Sequence, residues 1–131
     1  MIPDTVHILP TDNSPEVILN PEGIIKIKGR GMVVNKTSVP EQINDWLDFY
    51  LLNPAEKTTV IIAFEYLNSY STTILAAVLK KITKVIQNNK KFVIHWYYED
   101  GDDDILERGK YISESLNIPL EFIEIDDISD C

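Results

Sequence analysis

Val60-Ile61-Ile62-Ala63-Phe64 is an unbroken apolar run, and ten residues after its end a helical apolar repeat begins at Ile74. A strand apolar at every position fits the interior of a sheet covered by helices. The repeat behind it puts Leu75, Val78, Leu79, Ile82 and Val85 or Ile86 on one helix face, with Lys80, Lys84 and Gln87 on the other. The stretch from Thr59 to Gln87 therefore reads as strand, polar turn (Glu65 to Thr73) and helix, and Asn88-Asn89 is a fitting stop. The rest of the chain is arranged around that unit.

Upstream, Met1 to Ser14 holds two prolines and no periodicity, so an arm with little regular structure is expected. Glu16–Leu19 and Ile24–Lys28 read as strands joined by Asn20-Pro21-Glu22-Gly23, whose order suits a type I turn. Gly29-Arg30-Gly31 then breaks the second strand. Ser38 with Glu41 forms a capping box for a helix that buries Ile43, Trp46, Leu47 and Tyr50. Downstream, Phe92 to Tyr98 is a second interior strand, with His95 buried and hydrogen-bonded inside it. Asp104 with Glu107 caps a helix to Leu116, which Asn117-Ile118-Pro119 ends. Leu120 to Ile125 is the last strand, followed by an acidic, frayed tail over 126–131.

Strands alternating with helices imply an α/β domain with helices packed on a partly parallel sheet of about five strands, mixed because of the opening hairpin. All 131 residues make one such domain. The formal charge of -9 argues against nucleic acid and anionic membranes as partners. With a single cysteine, Cys131, and no apolar run long enough for a membrane span, a cytoplasmic protein is expected.

Two stretches carry candidate chemistry. The turn before the central helix holds Ser69, Ser71, Thr72 and Thr73. A helix N-terminus presents unsatisfied N–H groups and a partial positive charge, so it favours hydroxyl caps and tolerates an added phosphate. Ser71 or Thr72 as a cap accounts for one hydroxyl, without Asn68 or Ser69. The acidic loop Glu99, Asp100, Asp102, Asp103, Asp104 is the second stretch. Its oxygens suit a hard cation, but the spacing is not that of an EF-hand, and a solvated loop with a helix cap explains it without metal. A docking face for a basic protein partner fits it better. A metal-dependent hydrolase drawing on this loop, and a phosphorylation-independent scaffold using the Lys80/Lys84 face, are the competing readings. No cofactor motif is present, and no nucleophile or oxyanion donor accompanies the acids.

Gly29-Arg30, then Trp46-Leu47 with Tyr50, Tyr66-Leu67-Asn68-Ser69, Trp96-Tyr97-Tyr98-Glu99-Asp100, Asp102-Asp103-Asp104, Glu107, Gly109 and Ile118-Pro119 together resemble the SiaC family of bacterial regulatory phosphoproteins, over Pro15 to about Ile125. The resemblance implies a fold similar to the STAS domains of anti-anti-sigma factors. It also implies a non-enzymatic role: a partner kinase phosphorylates a hydroxyl at a strand-to-helix turn and a partner phosphatase restores it. The unphosphorylated form would bind and activate a diguanylate cyclase, feeding cyclic-di-GMP output and biofilm control. By position the acceptor is Ser69, a serine where threonine is expected, with Ser71 the second choice. The implied partner surface comprises Asn68, Tyr70, Thr72, Trp96, Tyr98, Glu99, Asp100, Asp102 and Asp103. The chain departs from the family pattern at Gly31-Met32-Val33-Val34, at Tyr70 and at Thr73.

Overall fold

The computed structural model describes residues 3–12, 14–30 and 39–131. Among them six strands form one sheet in chain order: β1 (Val6–Ile8), β2 (Glu16–Asn20), β3 (Ile24–Arg30), β4 (Lys57–Tyr66), β5 (Lys91–Glu99) and β6 (Glu121–Ile125). The first three pair antiparallel, and β3 through β6 run parallel. Helices α1 (Val39–Tyr50), α2 (Ser69–Ile82) and α3 (Asp103–Leu116) make the three crossovers between parallel strands. Right-handed crossovers that always step the same way along a sheet put their helices on one face.

The core follows from that placement. Val17, Leu19, Ile25, Ile27, Val60, Ile62, Phe64, Ile94 and Trp96 point to the helices and join Ile43, Leu47, Leu75, Leu79 and Ile112 in one buried cluster. Alternation leaves the other face without α-helices, so Lys26, Lys28, Ile61, His95 and Tyr97 are only half-buried there. The β4 run is thus helix-covered on one side and not on both, as its apolar continuity suggested. His95 is likewise not an interior residue: it faces the open side and pairs with Glu121 at 3.1 Å.

Several expected boundaries move, each for a local reason. The N-terminal arm contributes β1, because pairing with β2 satisfies its backbone, and Trp46 Nε1 donates to Asp4 O at 2.7 Å. β3 continues through Gly29, whose φ of 139° accommodates a register shift before Arg30, so the expected break is a bulge. Ser38 lies outside the described residues, so the capping box has no structural account. α2 ends at Ile82 in a 3₁₀ turn over Thr83–Asn88, and Asn89 closes it in the left-handed conformation. The acidic tail folds back: a 3₁₀ turn at Ile128–Asp130 packs on β4 and β5, burying Ile128, while Lys28 Nζ donates to Ser129 O at 3.1 Å and Cys131 O at 2.8 Å.

α1 is joined to the sheet by a buried polar contact as well as by its apolar stripe. The Tyr50 and Thr58 hydroxyls lie 2.6 Å apart, and Ala55 N donates to the Tyr50 hydroxyl at 3.3 Å. Tyr50→Phe strands a fully buried Thr58 hydroxyl, and such an orphan costs about 1–3 kcal/mol. The expected readout is a lower urea midpoint with an unchanged slope.

Candidate functional site

The turns leaving β4 and β5 lie side by side at the C-terminal end of the parallel strands, the end at which open α/β sheets present their working loops. The first is built by Leu67 and Asn68. Leu67 is buried and anchors the turn; Asn68 Oδ1 accepts from Ser71 N at 2.7 Å and caps α2. The cap is therefore Asn68 and not Ser71 or Thr72, and α2 begins five residues before the expected Ile74. A short carboxamide in extended backbone satisfies one of the orphan N–H groups of the first turn.

That cap sorts the hydroxyls. Ser71 and Thr72 turn inward and are 2% and 5% exposed. Thr72 Oγ1 donates to Asn68 O at 2.7 Å and accepts from Arg108 Nη1 at 3.0 Å. Thr73 is exposed and its hydroxyl donates to Ser69 O at 3.1 Å. Ser69, the first residue of α2, is exposed, as are Asn68 and Tyr70. Of the two candidate acceptors, Ser69 meets solvent and Ser71 does not.

The second turn is the acidic loop. Asp102 Oδ1 accepts from Ile105 N at 3.1 Å and caps α3, displacing the expected Asp104 cap by two residues. Asp104 instead accepts from Arg108 Nε at 3.1 Å, one turn along the helix. Glu99 Oε2 accepts from Ile128 N at 2.9 Å, and Asp100 N donates to Ile125 O at 2.9 Å, so the C-terminal turn is tied to the loop. Asp127 Oδ1 accepts the Ser129 N–H in that turn, and the bonds from Ser129 hold its carboxyl below the usual carboxylate range. Glu99, Asp102 and Asp104 are thus each engaged by backbone or arginine. Among the described residues no three His, Cys, Asp or Glu side chains are grouped to hold a metal ion. Asp100 and Asp103 remain exposed, and Tyr98 is half-buried against the core.

Trp96 and Thr72 correct the expected partner surface. Trp96 is fully buried, its Nε1 donating to Ile105 O at 3.1 Å, so it seats α3 and presents nothing outward. The period of two in β5 sends Trp96 to the helix side and Tyr97 to the open side. Arg108, by contrast, was not among the expected site residues. It lines a groove of about 630 Å³ between α2 and α3 together with Ser69, Thr72, Lys80, Glu107 and Tyr111. Its signal in the sequence is the Asp104-Arg108 spacing of a helical ion pair.

The geometry can be set beside known proteins. The model of the SiaC family, described as regulatory phosphoproteins, matches residues 8–125. No curated protein matches the chain. Similar solved chains include one in the crystal structure of the diguanylate cyclase SiaD in complex with its activator SiaC from Pseudomonas aeruginosa, with a TM-score of 0.78, 18% identity, and 92% of this chain and 99% of that chain covered. SiaC of Pseudomonas aeruginosa gives 0.77 and 18%, covering 95% and 99%. The apo-SiaC crystal structure from the same organism gives 0.74 and 18%, covering 92% and 98%. At that identity the likeness is one of fold.

Proposed function

Since the chain belongs to the SiaC family of regulatory phosphoproteins, we propose that it is a cytoplasmic, non-enzymatic switch whose state is set by phosphate on Ser69. A partner kinase adds the phosphate and a partner phosphatase removes it. The unmodified form binds and activates an effector, a diguanylate cyclase by analogy with the SiaD–SiaC complex. Asn68, Ser69 and Tyr70, with Asp100 and Asp103 of the neighbouring turn, form the outward surface for that exchange. No helix among the described residues is long and apolar enough to cross a membrane.

The observation that supports this most is the sorting of hydroxyls by the Asn68 cap. Ser69 is exposed at the first position of α2, while Ser71 and Thr72 are buried and held within the helix start. A phosphate there adds roughly two negative charges and three acceptor oxygens. The folded chain accommodates it, because Ser69 faces solvent at the positive end of a helix. A partner seated on the turn does not, because burying an uncompensated dianion is costly.

The test is phosphopeptide mapping of the chain from its own cells, followed by calorimetric titration of both forms against the cyclase. Phosphate on Ser69, with affinity for the cyclase roughly tenfold weaker or more, about 1.4 kcal/mol, is the expected result. Ser69→Ala should keep the unmodified affinity in the presence of kinase. A chain that stays unmodified across growth and stress conditions, or a phosphorylated chain that binds as tightly, overturns the reading.

A further inference from the structure

Building on Ser69 as the modified residue, we propose that Arg108 is the cation that receives its phosphate, releasing Asp104 and so linking the acceptor turn to the acidic loop through one guanidinium. Arg108 already joins the two turns. Its Nη1 donates to Thr72 Oγ1 at 3.0 Å on α2, and its Nε donates to Asp104 Oδ2 at 3.1 Å on α3. The Thr72 hydroxyl spends its own proton on Asn68 O, so it meets Arg108 only as an acceptor. This fixes the guanidinium against the first turn of α2. Ser69 lies three residues before Thr72, on the same side of that turn, and lines the same groove as Arg108.

The charges facing the groove decide which cation answers. Lys80 also lines it, but eleven residues along α2 from Ser69, about 16 Å away at 1.5 Å per residue. Glu107 on the α3 wall lies 3.8 Å from Lys110 and would repel a phosphate. Arg108 is a quarter exposed, and its partner Asp104 is 65% exposed. A solvated monoanion holds an arginine weakly, whereas a dianion one helical turn away offers a planar fork two oxygens. Transfer of Arg108 to the phosphate leaves Asp104 without its cation, beside Asp103 and the Asp102 cap. One modification then alters two neighbouring surfaces, the acceptor turn and the acidic loop.

The experiment uses the full chain with phosphoserine encoded at position 69, so it does not depend on a kinase. Phosphorus NMR titration gives the second ionisation of the phosphate, ordinarily near about 6. A neighbouring cation favours the dianion, so Arg108→Gln should raise that value by roughly half a unit or more, with Arg108→Lys in between. The Arg108 Nε–H and Asp104 amide resonances should move on phosphorylation of the unsubstituted chain. An ionisation identical in the Arg108→Gln variant and the unsubstituted chain overturns the proposal. Should that variant fail to fold, an Arg108 Nε–H resonance unmoved by phosphate overturns it equally. A chain found unmodified in cells would remove Ser69 from the switch, but would leave the titration result standing.

Discussion

Gly109→Ala is expected to destabilise the chain by about 2 kcal/mol or more, although the same change in an exposed helix would stabilise it by roughly 1 kcal/mol. The sign reverses because of what Gly109 touches. A Cβ there would lie 2.6 Å from Trp96 Cε2, 2.7 Å from Trp96 Nε1 and 2.7 Å from Phe122 Cε1. None of those ring atoms is the loose end of a flexible chain. Trp96 is fully buried and held by its bond to Ile105 O, so it cannot swing aside, and α3 must lift from the sheet instead. The lift carries Arg108 and Asp104 with it. Urea unfolding measures the loss, and a changed phosphate ionisation in the Gly109→Ala chain carrying phosphoserine at position 69 would register the displaced Arg108. A Gly109→Ala chain more stable than the parent would mean that α3 is not seated on Trp96.

Gly23→Ala is expected to cost still more, about 3 kcal/mol, from the opposite end of the sheet. Gly23 has φ +111°, and a Cβ on it would fall 2.3 Å from the backbone oxygen of Lys57. The chain cannot retreat, because Gly23 O accepts from Thr59 N at 2.7 Å and Gly23 N donates to Asn20 O at 2.9 Å. These bonds join the β2–β3 turn to the start of β4. Gly23→Asn should recover nothing, because its Cβ meets the same Lys57 oxygen and asparagine's tolerance of positive φ lies at about +57°, well short of +111°. Because the turn is remote from Ser69, phosphoserine at position 69 in the folded fraction of either variant should ionise as in the parent, in contrast to Gly109→Ala.

The two glycines were not equally legible. Gly23 closes Asn20-Pro21-Glu22-Gly23, a local turn signal, and the Asn20–Gly23 bond follows it. Gly109 sits in a helix, and only the distant Trp96 and Phe122 rings give it a reason. The same division runs through the candidate site. That a turn carrying Asn68 and Ser69 follows β4, and an acidic loop follows β5, was legible from the strand–turn–helix order. Asn68 as the cap was not, because the hydroxyls that follow it offered equally good local candidates. Trp96 was placed on the partner surface by the resemblance, and the sheet instead turns it to the helix-covered face, where it is fully buried.

Short-range periodicity and turn chemistry were enough for the α1 stripe of Ile43, Trp46, Leu47 and Tyr50, the apolar β4, the α2 repeat, and the stops at Asn89 and Asn117. These depend on neighbours three or four residues apart, or on a single backbone conformation. The strands at Glu16–Asn20, Ile24–Arg30, Lys91–Glu99 and Glu121–Ile125 and the helix to Leu116 were legible in the same way; the contacts between distant elements waited on the folded chain. Only there does Val6-His7-Ile8 become a strand, do all three helices share one face, does Ile128 fold onto β4 and β5, and does Arg108 meet Thr72. Each of those contacts joins residues far apart in the chain, held by pairing or burial that no local pattern encodes. Arg108 and Thr72, thirty-six residues apart, meet only because parallel strands and same-handed crossovers set α2 beside α3.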